Sequence, residues 1–141
     1  EIYRTRFRPT SIARDPLERP YVMPGITIVA ADTDHEARRL FTSHQQVFLA
    51  LRRGRLGPVP PPVDPDRFDA ELTPIERAEL EHVFSSALVG SASTVQRGLT
   101  EFLDRTAADE IIISGQIYDH GARLRSFELI AELKDSAVDS R

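Results

Sequence analysis

Hydrophobic positions along the chain predict buried strands that alternate with amphipathic helices. The segment YVMPGITIVAAD contains the β-branched residues Ile26, Ile28 and Val29, flanked by alanines. An apolar run of this kind is typical of a strand that is buried on both faces. A second run, EIIISG at 110–115, predicts another buried strand, whereas SALVG is long enough only for a minimal one.

Apolar residues at helical spacing predict helices between and after these strands. The clearest helix covers 32–54, where Asp32 or Thr33 can accept hydrogen bonds from the free N–H groups of the first turn. Further along, TPIERAEL predicts a helix start with a capping box formed by Thr73 and Glu76. A third helix is expected in SASTVQRGLTEFLDRT, with Ser91 or Ser93 as its cap, and a fourth follows the last strand.

The expected organisation is one domain over 1–141, with a proline-rich insertion loop at 54–72. The last helix is expected to end near Leu133 and to leave 134–141 as a frayed tail. The segment 54–72 holds five of the ten prolines, which favours an extended polyproline-type conformation. It also matches a PxxP pattern, which can dock on an aromatic groove, although a stiff surface loop is the favoured interpretation.

The order of elements predicts an α/β fold. Strands that alternate with helices, and that are apolar throughout rather than alternating, indicate parallel pairing. Only three strands are predicted, and three parallel strands with helices make a poor independent sheet. We therefore expect a part of a larger open sheet or barrel. The start at Glu1, with Met23 as the only methionine, adds the expectation of a piece of a longer protein.

Composition and charge exclude several classes of function. The net charge of −4 argues against a general nucleic-acid binder, which usually carries a basic excess. The absence of cysteine excludes disulfides, thiol nucleophiles and zinc–thiolate sites. No His, Asp and Glu spacing suggests a metal site. No apolar run approaches the ~20 residues of a membrane span, and no signal peptide is visible, so a cytoplasmic location is expected.

Candidate catalytic and ligand-binding residues are expected where strands end and helices begin, because parallel α/β folds bind ligands there. At the first junction, helix capping accounts for Asp32 and Asp34. At the second, VGSAST places Gly90 and Ser91 before a helix, where they can bind an anion such as phosphate. Plain helix capping explains the same residues, and the motif lacks the lysine of a Walker loop.

The third junction, SGQIYDHGARLRSFELI, concentrates side chains that donate and accept hydrogen bonds. Asp119 can cap the last helix, and Arg123 lies on its first turn. His120 is suited to act as a general base or as an oxyanion donor, or is simply a surface residue. Residue types and positions leave an active site and a well-capped helix equally open.

Several stretches together resemble the C-terminal part of luciferase-like flavin-dependent monooxygenases. They include ADTDHEARRL, LRRGRLGPVPPPVD and QIYDHGARLRSFEL, and the similarity extends from about Tyr3 to Glu132. The resemblance implies a (β/α)8 barrel, of which this chain would supply roughly the last three βα units. The sixth strand would lie near 21–30, a short seventh near 86–89 and the eighth at 110–115.

The resemblance also implies a function. Such enzymes use reduced flavin and O2 to oxidise a small organic substrate, and this chain would form one wall of the active site. Gln116, Tyr118, Gly90 and Ser91 are then expected to contact the cofactor. His120 and Arg123 are expected to be catalytic, by stabilising developing negative charge or gating access. The expected cofactor is FMN, and the related deazaflavin F420 stays open.

Two departures from the family pattern limit this expectation. Gly90 and Ser91 are followed by Ala92 and Ser93, where the family usually has Pro and Glu. The first five barrel strands, which carry most flavin contacts in the family, have no counterpart, so the isolated chain is expected to be inactive. The alternative is a non-catalytic structural module that associates through exposed sheet edges, as a homo-oligomer.

Overall fold

The computed structural model describes residues 2–9, 17–55 and 57–138, with side chains described up to Leu133. Along the chain the elements are α1 (Ile2–Arg6), β1 (Gly25–Ala31), α2 (Asp34–Arg52), α3 (Pro65–Glu71), α4 (Pro74–Val83), β2 (Leu88–Ser91), α5 (Ala92–Thr106), β3 (Ile112–Ser114) and α6 (His120–Val138).

The three strands form a parallel sheet in which β1 is central. The β1 segment Ile28–Ala31 pairs with β2, and the preceding segment Gly25–Thr27 pairs with β3. The predicted α/β class, with parallel strands and flanking helices, is confirmed.

The strand order is β2-β1-β3, which corrects the expected assignment of the barrel strands. Neighbouring strands of a (β/α)8 barrel follow one another around the barrel, so a seventh strand at 86–89 would separate β1 from β3. Instead, β1 and β3 are hydrogen-bonded to each other, and β2 lies on the opposite edge of β1. The three strands therefore do not lie in the expected order of sixth, seventh and eighth barrel strands.

Both faces of β1 are covered by helices, which explains its continuous apolar sequence. Ile28 and Ala30 are each 1% exposed and pack against α5 and α6 through Val95, Phe102 and Leu129. On the other face, the alternate β1 residues Val29 and Ala31 pack against α2 through Ala37, Leu40 and Phe41. The helices thus form layers on either side of the sheet.

The edge of β1 that faces β3 is completed by a side chain. β3 ends opposite Thr27, so it does not reach the N–H group of Ala30. That N–H donates to the Ser126 hydroxyl of α6 at 2.9 Å, and Ser126 is only 2% exposed. Between these two points the chain passes so close that a Cβ on Gly115 would lie 2.9 Å from the Ile28 carbonyl oxygen.

The predicted helix starts are confirmed where they depend on local signals. Thr33 caps α2 by accepting a hydrogen bond from the Glu36 N–H at 3.1 Å. Thr73 and Glu76 form the predicted capping box of α4, and Pro74 occupies its first turn. These caps satisfy N–H groups that have no partner inside the helix.

The proline-rich segment differs from the extended conformation that its composition suggested. Its second half forms α3, because Asp64 accepts a hydrogen bond from the Arg67 N–H and Pro65 occupies the first turn. The part before α3 is held against α2, where Thr42 Oγ1 accepts from the Val63 N–H at 2.9 Å. Position 56 lies outside the described residues.

The last helix is longer than predicted. Its backbone continues to Val138, whereas the expected end was near Leu133 and 134–141 was expected to fray. The sequence explains the difference, because neither proline nor glycine follows Gly121. Positions 139–141 lie outside the described residues, as do positions 10–16.

We expect Ser126→Ala to lower the free energy of unfolding by about 1–3 kcal/mol, because it leaves the buried Ala30 N–H without a partner. Urea denaturation followed by circular dichroism measures the change. Thr100→Ala is the matched control, since it removes an exposed hydroxyl whose bond to the Gln96 carbonyl lies within α5. Equal midpoints for the two variants would contradict the role of Ser126.

Candidate functional site at the carboxyl edge of the sheet

The three strand-to-helix junctions lie at one edge of the parallel sheet. β1 and β2 end together, since Ala31 pairs with Ser91. β3 ends lower, opposite Thr27, and the chain continues from Ser114 towards the start of α6. The polar residues predicted at the three junctions therefore lie on neighbouring loops.

Asp34 connects the first junction to the second. Its Oδ1 accepts a hydrogen bond from the Ser91 N–H at 2.6 Å. This bond, followed by side-chain hydrogen bonds from Thr94 and Ser91, holds the pKa of Asp34 below its usual value. Capping of α2 was expected to explain Asp34, and this was wrong, because Thr33 is the cap and Asp34 reaches across to the next strand.

Gly90 permits this close approach. A Cβ at position 90 would lie 2.6 Å from Thr94 Cγ2 and 2.7 Å from Asp34 Oδ1, closer than real Cβ contacts. The requirement for glycine at this position therefore follows from packing at the junction. It does not depend on the binding of a phosphate.

The Ser91 N–H, one of the groups predicted to bind an anion, already has an anionic partner in Asp34. The Ser91 hydroxyl lies 3.2 Å from Ser93 Oγ and 3.3 Å from Thr94 Oγ1, and it makes no capping bond to α5. A phosphate here would meet the Asp34 carboxylate. The cofactor role predicted for Gly90 and Ser91 stays a prediction that requires Asp34 to give way.

Asp32 connects the first junction to α6. Its Oδ1 lies 3.2 Å from Nη2 of Arg125, and this contact raises the pKa of Arg125. Glu128 and Glu132 also lie within 4 Å of the same guanidinium group, at 3.7 and 3.9 Å. The sequence alone did not identify Arg125 or Thr94, since their partners lie far away in the chain.

At the third junction Asp119 caps α6, as predicted. Asp119 Oδ1 accepts from the Ala122 N–H at 2.7 Å. Arg123 of the first turn contacts His120, with 2.7 Å between Arg123 Nη2 and His120 Nδ1.

The four predicted residues of this junction lie around one buried anchor. Ile117 is 3% exposed and packs beneath α2 and β1 residues, while Gln116 and Tyr118 on either side of it are exposed. The structure brings His120 and Arg123 into direct contact. It places Gln116 and Tyr118 on the same loop, available to a ligand.

His44 is a half-buried residue outside this edge. It packs against the rings of Phe41 and Phe84 at centroid distances of 5.8 and 4.8 Å. Its Nδ1 is buried and has no hydrogen-bond partner among the described residues, and burial lowers its pKa. Among the described residues no acidic and histidine cluster could hold a metal ion.

Comparison with known proteins shows which proteins the chain is similar to. A scan against models of protein families gave no match. A luciferase-like monooxygenase of Escherichia coli (strain K12) is 44% identical over 137 residues, which cover 97% of this chain and 39% of that protein. The uncharacterised protein YvbT of Bacillus subtilis (strain 168) is 41% identical over 133 residues, 94% of this chain and 38% of that protein.

A solved structure supports the same relationship. The crystal structure of apo-MsnO8 superposes with a TM-score of 0.61 at 26% identity, covering 83% of this chain and 35% of that one. The chain is thus homologous to luciferase-like monooxygenases, which confirms the resemblance noted in its sequence. It spans about two fifths of the length of the curated relatives it matches. No helix among the described residues is long and apolar enough to cross a membrane.

The lowered pKa of Asp34 predicts a pH dependence of stability. Its stabilising contribution is fully present above the pKa of an unfolded aspartate, about 3.9, and is lost as pH falls through the lower folded-state pKa. Asp34→Asn keeps an oxygen acceptor for the Ser91 N–H but carries no charge. We expect the stability advantage of the wild type over this variant to shrink as pH falls.

Urea midpoints of both proteins measured from about pH 6 down to about pH 2.5 test this expectation. Asp66→Asn, which removes another first-turn aspartate from a different helix, is the control for general effects of charge. A constant difference between wild type and Asp34→Asn across this range would show that the carboxylate of Asp34 does not act through its charge.

Proposed function

We propose that the chain forms one wall of the flavin and substrate pocket of a luciferase-like monooxygenase. The reaction would oxidise a small organic substrate with reduced flavin and O2. The observation that carries this proposal is the polar group of Gln116, Tyr118, His120 and Arg123, in which the first three side chains are exposed and Arg123 is half-buried. It lies at the carboxyl edge of a parallel sheet, in a chain 44% identical to a luciferase-like monooxygenase.

The third junction suits a flavin better than the second. A flavin ring presents carbonyl oxygens and ring nitrogens, which accept hydrogen bonds from amide, phenol, imidazole and guanidinium groups. Gln116, Tyr118, His120 and Arg123 supply these four kinds of donor. At the second junction Asp34 already holds the Ser91 N–H, so the proposed cofactor contacts of Gly90 and Ser91 are secondary.

When bound, the flavin supplies the redox chemistry with O2, and the protein orients it and excludes water. Arg123 would contribute positive charge near the reacting groups, and His120 a hydrogen bond to an oxygen that gains negative charge. Gln116 and Tyr118 would orient the cofactor. Because Gln116, Tyr118 and His120 are exposed here, other walls must enclose the pocket.

The proposed cofactor is FMN, with the deazaflavin F420 as the competing choice. The relatives are more than twice as long as the part that this chain matches. We therefore propose that the 141-residue chain alone binds either cofactor weakly, and that the natural protein containing this sequence binds one of them tightly.

Titration of the natural protein with FMN and with F420, followed by absorbance and fluorescence, tests the cofactor proposal. We expect saturable binding of FMN and O2 consumption when reduced flavin is supplied. Tight binding of F420 alone would reassign the cofactor, and binding of neither would overturn the enzyme proposal. Tight FMN binding by the 141-residue chain would contradict the need for further walls.

His120→Ala tests the site in the same protein. We expect a roughly 10-fold to 100-fold fall in kcat/KM, which is the usual effect of losing one hydrogen bond to an oxygen that is charged or gains charge in the reaction. His82→Ala is the matched control, because His82 is an exposed histidine in the last turn of α4. Equal turnover for both variants would show that His120 is a surface residue without a role in catalysis.

Association through a sheet edge is a second candidate function, favoured by one observation. Within the described part of the chain, β2 and β3 each pair with β1 only, and Ile112 of β3 is 53% exposed. Unpaired strand edges with apolar side chains promote pairing with another chain. A homo-oligomer formed along β3 would cover this residue.

We expect the chain to self-associate in sedimentation equilibrium, and Ile112→Lys to shift the distribution towards monomer. A lysine on an edge strand opposes strand addition. Ile75→Lys is the control, since Ile75 is 73% exposed on α4. A monomer at every concentration would exclude the association proposal.

A further inference from the structure

The contact between Arg123 and His120 determines which nitrogen of the imidazole carries the proton. Arg123 Nη2 lies 2.7 Å from His120 Nδ1. A guanidinium group has only donors and keeps its proton throughout the accessible pH range. His120 Nδ1 must therefore accept, and the proton of the neutral ring is on Nε2.

We propose that His120 acts as a hydrogen-bond donor through Nε2–H to an oxygen of the ligand, and that Arg123 is the positioning residue that fixes this tautomer. The ligand oxygen is of the carbonyl, phosphate or oxyanion class, which accepts a bond from N–H. The identity of the ligand rests on the proposed flavin function. The tautomer and its control by Arg123 rest on geometry alone.

This arrangement decides between the two chemical roles that the sequence left open for His120. A general base needs a free lone pair directed at the proton it removes. The only lone pair of the neutral ring in the imidazole plane is on Nδ1, and Arg123 occupies it. Proton abstraction through Nε2 would require the tautomer to reverse, which breaks the bond to Arg123.

The start of α6 holds the pair in place. The Arg123 N–H donates to the Asp119 carbonyl at 3.0 Å, and Asp119 Oδ1 accepts from the Ala122 N–H. With the first turn fixed, residues three apart lie on the same side of the helix. His120 and Arg123 therefore face each other across a rigid turn, and Arg123 is half-buried.

The neighbouring arginine does not compete for His120. Arg125 points to Asp32 at the end of β1 and to Glu128 along α6, at 3.2 and 3.7 Å. The two arginines of this turn thus have separate tasks. Arg125 ties α6 to the end of β1, while Arg123 is bonded to the imidazole.

Acylation of histidine by diethyl pyrocarbonate tests the proposal on the 141-residue chain without any flavin. The free lone pair of a neutral imidazole attacks a carbonyl carbon of the reagent, and peptide mapping by mass spectrometry gives a rate for each histidine. His35 and His82 are exposed and serve as internal references. We expect His120, although exposed, to react about fivefold more slowly than these two, the protection of a typical net hydrogen bond.

Arg123→Leu should raise the rate at His120 to that of the references, and Arg123→Lys should restore part of the protection because an ammonium group also donates. Arg67→Leu is the control, since Arg67 pairs with Glu71 on α3. Circular dichroism of each variant checks that the fold is kept. If Arg123 had only a structural role, its removal would disturb the fold.

Two results would overturn the proposal. One is a wild-type His120 that reacts as fast as His35 and His82, and the other is an Arg123→Leu variant that is folded but unchanged in its rate at His120. Neither result depends on flavin. If the natural protein fails to bind FMN, the proposed ligand is wrong, but the acylation result still tests the tautomer of His120.

Discussion

Complete satisfaction of the β1 backbone is the constraint on which the rest of the structure depends. β1 is buried on both faces, so each of its polar backbone groups needs a partner within the protein. β2 pairs with one edge, while β3 pairs with only part of the other. The hydroxyl of Ser126 completes that second edge at Ala30 and brings α6 against the sheet.

Two aspartates that follow β1 in the chain connect the carboxyl edge to other elements. Asp34, the first residue of α2, accepts from the Ser91 N–H at the end of β2, and Asp32 bonds to Arg125 of α6. Each carboxylate thus joins loops that the sequence separates widely. At the second junction, where glycine and serine suggested an anion site, the Ser91 N–H is already bonded to the Asp34 carboxylate.

Local features of this fold were predictable from the sequence, and features that join distant segments were not. The buried strand around Ile28 and the caps at Thr33 and Thr73 depend on neighbouring residues, so composition and spacing reveal them. The bond from Ser91 to Asp34 joins residues 57 positions apart, and no periodicity encodes it. For the same reason the strand order differed from expectation.

The Ser126 hydroxyl also has a consequence for how α6 can vary among related sequences. A helix that packs on a sheet through apolar side chains alone can rotate or slide by small amounts, since such contacts are not directional. A hydrogen bond to a fixed strand N–H has a narrow range of angles and lengths. The Ser126 hydroxyl thus fixes the rotation of α6 about its own axis. It thereby also fixes the direction in which Arg123 points, since Arg123 lies less than one helical turn away.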